Sequence, residues 1–236
     1  MNKSTILLLP VLLLVMALLA GCPTVKADGG GTTVDPFAGI QKREMATVNT
    51  VNNYSMGYTG VATPVHTVAK ISAFTMGKYE VTYELWKKVY DWAKVNGYSF
   101  SKDTASTTTG VCGSSGNGST LQPVTTISWR DCMVWCNAYS QMSDLQPVYC
   151  TGAGYTTPLK TCDAVAVSAT TVIAGNEDNP FVNWGATGYR LPTEAEWEEC
   201  ARYVNSTTYN PGDYMSGATA DYTNDSASFA VAVFGY

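Results

Sequence analysis

Among the side chains that ligate soft metals or act as thiol nucleophiles, this sequence offers seven cysteines in 236 residues, against a single histidine, His66. Cys22 stands apart near the N-terminus. The other six are Cys112, Cys132, Cys136, Cys150, Cys162 and Cys200. Zinc or iron held by thiolates would call for a paired Cys-x-x-Cys spacing or added histidines, and neither occurs. A nucleophilic thiol would need a basic neighbour to favour the thiolate, and neither Cys136 nor Cys200 has one in sequence. A buried thiol or a disulfide is the expected state, and an even number permits up to three disulfides. Cys150 and Cys162 flank a Gly/Thr/Pro-rich stretch and form the favoured pair. Cys132 and Cys136, four apart on an expected helix, share a face but are poorly placed to bond to each other. His66 reads as a hydrogen-bonding structural residue.

The second cluster with chemical potential is Gly188-Tyr189-Arg190-Leu191-Pro192-Thr193-Glu194-Ala195-Glu196-Trp197-Glu198. A short extended run stops at Pro192 and turns into a helix. Thr193 is the natural N-cap, and Glu196 can return a hydrogen bond to the Thr193 amide, completing a capping box. Glu194, Glu196 and Glu198 place negative charge at the positive end of the helix dipole. These carboxylates read as capping and surface charges rather than an acid/base pair. Arg190 reads as the group that orders the turn by binding carbonyls or a carboxylate.

The N-terminus reads as an export signal. Lys3 precedes an apolar run from Ile6 to Ala20, too short to span a bilayer, which needs roughly 20 apolar residues. Leu19-Ala20-Gly21-Cys22 then resembles a bacterial lipobox, with cleavage before Cys22 and a diacylglyceryl group on its sulfur. The expected partner of Cys22 is therefore a membrane, and the expected location is the bacterial cell envelope. Net charge is −5 with 14% charged residues. That balance offers no basic stripe for nucleic acid. Eleven per cent aromatics excludes a disordered chain, so a loop-rich exported domain is expected.

The positioning elements follow from periodicity. Residues 1–21 form the leader, 22–46 a Gly/Thr-rich tether, and 47–236 the folded domain. Val65 to Ile71 alternates as a strand, with Val65, Thr67, Ala69 and Ile71 on one face. Phe74 to Val81 is extended. Thr82 caps a helix to about Val95 with Leu85, Trp86, Val89, Trp92 and Ala93 buried, and Gly97 ends it. Residues 101–120 form an exposed loop. Pro123 to Ser128 is extended, and Ser128 caps a second helix to about Met142. Its buried face is Trp129, Cys132, Met133, Cys136 and Tyr139/Ser140. Pro147-Val148-Tyr149 is a short strand, 151–180 a long insertion, and Glu194 to about Tyr203 a third helix. Trp86, Trp92, Trp129 and Trp197 are expected in the core. The apolar run Phe229 to Phe234 has no partner strand in the sequence.

Four blocks in order resemble the formylglycine-generating enzyme (sulfatase-modifying factor) family. They are Pro64-Val65-His66 leading into Phe74 to Thr82, Pro123 to Asp131 leading into Cys136 to Ser140, Pro147 to Tyr149, and Gly188 to Glu198 with Ala201-Arg202. The resemblance implies an α+β fold, a variant of the C-type lectin-like fold with short strands, about three helices and irregular backbone. It further implies a copper-dependent oxidation of a substrate cysteine to formylglycine, with a protein or peptide substrate for the full-length protein. The family's copper-binding cysteines match none of the six here, and its Asn-Val-Trp-Glu-Trp and Arg-Gly-Gly-Ser-Trp segments are not found. No catalytic residue carries over, no cofactor is expected in this chain, and the domain is expected to be incomplete at its C-terminal side. Asp221 and Asn224 match the segment that supplies some of the family's structural calcium ligands. An iron site of several histidines, known in a family relative, is excluded by the single His66. A non-catalytic, ligand-binding surface lipoprotein is the alternative, with the loops at 101–120 and 151–187 as its binding loops.

Overall fold

The computed structural model describes residues 19–20, 35–57, 66–104, 108–112, 118–162, 173–205, 208–210 and separate positions between 214 and 230. Cys22 and most of the leader lie outside them, as does most of the apolar run 229–234. Among the described residues no helix is long and apolar enough to cross a membrane.

Among the described residues, twelve short strands and three helices alternate irregularly. In order they are β1 (Leu19–Ala20), β2 (Met45–Val48), β3 (Val51–Met56), β4 (His66–Ile71), β5 (Phe74–Gly77), α1 (Tyr83–Val95), β6 (Val111–Cys112), β7 (Val124–Thr125), α2 (Trp129–Met142), β8 (Tyr149–Cys150), β9 (Phe181–Val182), β10 (Tyr189–Arg190), α3 (Glu194–Arg202), β11 (Tyr203–Asn205) and β12 (Thr208–Tyr209). The largest sheet has four strands in the order β10-β1-β5-β2, and the others are antiparallel pairs, β3 with β4 the longest. The two residues of β1 belong to the expected leader, and in the uncleaved chain they pair antiparallel with both neighbours, Leu19 with Arg190 and Met76, Ala20 with Tyr189 and Thr75.

The helices start where capping chemistry says they should. The Thr82 hydroxyl accepts from the Leu85 amide, and Gly97 follows α1 at φ +82°, a left-handed conformation that suits glycine. Ser128 and Asp131 make a full capping box on α2, so aspartate serves as well as the longer glutamate here. The Asp131 carboxylate is fully buried and also accepts from the amide and hydroxyl of Ser101.

Helix α2 is the centre of the molecule. Every residue from Asp131 to Ser140 is buried, so the one-faced stripe expected from sequence becomes burial on all sides. Trp135 stacks on Trp86 of α1 with centroids 5.4 Å apart. Each indole N–H is satisfied, Trp86 donating to the Thr109 carbonyl and Trp135 to the Trp86 carbonyl, both at 3.1 Å. Asn137 is fully buried and uses its whole hydrogen-bonding capacity. Its amide nitrogen donates to the carbonyls of Tyr149 (2.7 Å) and Leu159 (2.9 Å), and its oxygen accepts from the amides of Val148 and Tyr149 (3.1 Å each). A second, smaller core of Tyr54, Met56, Ile71, Phe74 and Met76 lies between the β3–β4 hairpin, β5 and α3.

Several expectations change. The stretch taken as tether is folded from Asp35 onward, with Phe37 buried edge-on against Tyr139 at 5.0 Å and Met45–Val48 paired to β5. Trp129 and Trp197 are about half exposed rather than core, because each sits in the first helical turn on the outer side. On β4, Thr67 and Ala69 are exposed while Val68 is half-buried, because this two-stranded hairpin buries only its Ile71 end firmly. The loop at 101–120 is anchored: Thr109 and Cys112 are buried.

Replacing Asn137 with Ala strands two amides and two carbonyls in a dry interior. A loss of about 3 kcal/mol or more is expected in urea unfolding. A loss below about 1 kcal/mol would mean that water reaches those groups and that Asn137 is not the anchor.

Candidate functional site

The signature turn between β10 and α3 is a closed electrostatic unit. Gly188 leads into it against α2: a Cβ there would lie 2.3 Å from the Gln146 carbonyl oxygen and 2.4 Å from Ser140 Oγ, so only glycine fits. Ser140 Oγ then accepts from the Tyr189 amide at 2.8 Å, and the Tyr189 ring stacks on Tyr139 with centroids 3.9 Å apart. The Tyr149 hydroxyl accepts from the Leu191 amide at 3.0 Å. These contacts hold the backbone so that Arg190 points at α3.

Arg190 grips Glu196 through two parallel bonds, Nη1 to Oε2 at 2.8 Å and Nη2 to Oε1 at 2.6 Å, and also donates to the Leu191 carbonyl at 3.1 Å. Glu196 in turn accepts from the Thr193 amide (2.7 Å) and hydroxyl (2.9 Å), while the Thr193 hydroxyl accepts from the Glu196 amide. The capping box is present as expected, and Arg190 orders the turn as expected. Pro192 and Leu191 carry the bend, and Glu194 stays exposed beside the helix start. Burial pulls the Glu196 carboxyl upward, but the Arg190 and Thr193 contacts outweigh it, so its pKa lies below the ordinary glutamate value.

Glu198 is not a surface charge. Its carboxylate accepts from the Gly57 amide at 2.9 Å, the Tyr54 hydroxyl at 3.3 Å and Arg202 at 2.6 Å, tying α3 to β3. Glu199 is the contrast: it is fully buried, its Oε2 has no hydrogen-bond partner among the described residues, and Tyr209 reaches its Oε1 at 3.3 Å. Burial raises its pKa, the Tyr209 bond offsetting this in part and the Glu196 charge adding to it.

Beside the signature lies a cleft of about 560 Å³ lined by Lys70, Phe74, Trp184, Arg190, Thr193 and Glu196 among others. Trp184 is 65% exposed and its ring lies over the Arg190 guanidinium at 4.9 Å. Sequence reasoning missed both Lys70 and Trp184. The signal available was an unassigned tryptophan in an Asn-Trp-Gly turn just before the signature.

The remaining candidates are dispersed. No disulfide joins the six described cysteines, so the Cys150–Cys162 bond expected from the loop is not formed. The Cys150 thiol turns toward the Val148 carbonyl at 3.9 Å, whereas Cys162 lies 3.9 Å from Ser128 Oγ. Burial raises the pKa of five of these thiols: Cys162 and Cys200 are pushed up to about 12, and Cys132, Cys136 and Cys150 also lie above the ordinary thiol value. Asp221 accepts from the amide and hydroxyl of Thr223, and Asn224 Oδ1 accepts from the Ala227 amide, so both side chains close local turns. Among the described residues no three acidic, cysteine or histidine side chains form a metal-binding group. His66 is exposed on β4.

The sequence matches the sulfatase-modifying factor enzyme 1-like domain over residues 33–232, and the chain belongs to that family. It is 32% identical over 131 residues to a protein named chaperone protein LppX from Paenibacillus barcinonensis, an alignment covering 56% of this chain and 36% of that one. Among solved structures it resembles CarF (30% identity, TM-score 0.49, 69% of this chain and 57% of that one) and Treponema denticola variable protein 1 (28% identity, TM-score 0.48, 75% and 56%). The chain therefore spans a little over half the length of these solved relatives and about a third of the curated one.

The two buried glutamates give opposite pH dependences. Glu196, with its pKa depressed, adds stability above the ordinary glutamate value of 4.5, lost as pH falls through its folded pKa. Urea midpoints of wild type and Glu196→Gln should therefore differ most at neutral pH and converge in acid. Glu199, with its pKa raised, adds stability at low pH that is lost as pH rises above about 4.5. Glu199→Gln should gain on wild type as pH climbs from 4 to 8, and equal pH slopes would show that its carboxyl is solvated.

Proposed function

We propose that this chain is the scaffold portion of an exported, lipid-anchored sulfatase-modifying-factor protein with a variant C-type lectin-like arrangement, and that its own residues do not carry the oxidation. The observation that supports this reading is the state of its thiols. Copper oxidation of a cysteine needs accessible thiolates, and here burial holds Cys132, Cys136, Cys150, Cys162 and Cys200 in the protonated form. The family signature is likewise spent on structure, since both Arg190 guanidinium faces used for pairing are taken by Glu196 and Leu191. Copper-loaded full chain incubated with a sulfatase-motif cysteine peptide should show no conversion above background. Sustained turnover would overturn the reading.

The anchor is Cys22, with the membrane as its partner. A diacylglyceryl group supplies two chains, each buried CH₂ contributing about 0.8 kcal/mol, which holds a domain this size at the envelope. Cys22→Ser should move the protein from the detergent phase to the aqueous phase of a membrane extract. Unchanged partition would remove the lipid anchor from the reading. Binding of a protein or peptide ligand is the second reading, and the cleft favours it, because Trp184 offers an exposed aromatic face beside Lys70 and Arg190.

A further inference from the structure

The largest sheet has a strand in its middle that maturation removes. β1 lies between β5 and β10, and its residues, Leu19 and Ala20, stand just before Cys22. Cleavage before Cys22 takes both away, so the inference rests on the leader reading. The two walls do not depend on β1. β5 is paired to β2 over Met45–Val48, and its Phe74 and Met76 sit in the smaller core. β10 is held from the other side: the Tyr189 amide donates to Ser140 Oγ, the Leu191 amide donates to the Tyr149 hydroxyl, and the Tyr189 ring stacks on Tyr139. Without β1 the walls stand two strand spacings apart, about 9.5 Å, too far to bond each other. Successive peptide groups of a strand point to opposite edges. With the amides of Tyr189 and Leu191 turned to Ser140 and Tyr149, the peptide groups of Arg190 face the gap. On β5 the Lys78 amide donates to the Glu44 carbonyl beside β2, so Met76 also serves β2 and Thr75 faces the gap. Unpaired donors and acceptors on two facing strands are a template for a third strand.

We propose that in the mature protein the gap between β5 and β10 binds an extended segment of a partner polypeptide, running antiparallel to both walls and carrying a bulky apolar residue followed by a small one. The leader shows the register: its first residue stands opposite Met76 and Arg190, its second opposite Thr75 and Tyr189. Directly opposed residues share one face of a sheet. The first position therefore lies on the face of Met76, toward the smaller core, and suits a bulky apolar residue such as the leucine of the leader. The second lies on the face of Tyr189, whose ring stacks on Tyr139 with centroids 3.9 Å apart, and suits a residue as small as the leader's alanine. Main-chain bonds to both walls supply affinity and the two side-chain positions supply selectivity, as in strand addition generally. Among the described residues every other strand is already paired, so the replacement comes from another polypeptide. The site is distinct from the cleft of Trp184 and Lys70, although Arg190 borders both.

The probe is a labelled peptide of residues 15–21, Val-Met-Ala-Leu-Leu-Ala-Gly, with lysines added at both ends for solubility. Its binding is followed by fluorescence anisotropy in mild detergent to the native protein extracted from membranes, whose N-terminus is read by intact mass, and to the full chain refolded with its leader kept. The processed protein should bind the probe, and the chain that keeps its leader should not, because β1 already fills the gap. A probe with Ala20→Pro should bind the processed protein roughly tenfold more weakly, the equivalent of one lost hydrogen bond. On binding, the amides of Thr75 and Arg190 should become protected from hydrogen exchange. Absence of binding to the processed protein, equal binding by the proline probe, or equal binding to the chain with its leader overturns the proposal. So does protection of those two amides before any peptide is added, which would mean that another part of this chain or a second copy fills the gap. A native mass that retains the leader removes the anchor reading and leaves the gap filled, which overturns both. A processed mass without binding overturns the proposal alone.

Discussion

The carboxamide of Asn137 is the contact on which most of this architecture depends. Strand β8 is only two residues long and the backbone from Pro147 to Leu159 makes few ladder bonds of its own. Buried peptide groups without partners are costly, so an irregular segment can enter a core only where something else satisfies it. Asn137 does this from the middle of α2, pairing with two carbonyls and two amides at once. A helix thereby serves as the partner a longer strand would have supplied. It follows that α2 must be buried on every side, with α1 stacked through Trp86 and Trp135 on one flank and the 147–159 segment on another.

From that anchor the structure passes outward by short steps. Ser140, one turn on from Cys136, accepts from the Tyr189 amide while its own hydroxyl donates to the Cys136 carbonyl. Gly188 fits against it where no side chain could. The Tyr149 ring, oriented by the strand that Asn137 holds, receives the Leu191 amide. Arg190 is thus delivered to Glu196 by contacts with α2 and β8, and Glu196 is delivered to Arg190 by the cap it makes with Thr193. The bidentate pair is largely desolvated and fully bonded, the condition under which a charge pair tightens a turn rather than straining it. Glu199, three residues on, lacks such partners and bears the cost of burial as a raised pKa.

This arrangement bears on function within the family. The residues that identify the chain as a member of the sulfatase-modifying factor domain are occupied in building the fold, and burial raises the pKa of Cys132, Cys136, Cys150, Cys162 and Cys200. What faces outward is a cleft with Trp184 and Lys70 on its rim, an arrangement suited to holding a ligand.

The sequence by itself determined the three helices, their caps and the signature turn, because these are local: Thr82, Ser128 and Thr193 find their partners three residues away, and so does Glu196. It also determined family membership through blocks of contiguous residues. Tertiary structure alone decided the rest. Asn137 looks like any helix asparagine until the segment it satisfies, eleven to twenty-two residues later, is folded against it. Phe37 lay in a stretch with no periodicity, and only the ring of Tyr139 places it in the core. Helical spacing predicts Trp129 and Trp197 on the inward faces, yet the side of a helix that is covered depends on what packs there. Glu198 and Glu199 are adjacent in sequence and equal in chemistry. One meets Arg202 and the Gly57 amide, the other meets only the Tyr209 hydroxyl among the described residues and keeps one oxygen unbonded, and that difference arises from what packs against each.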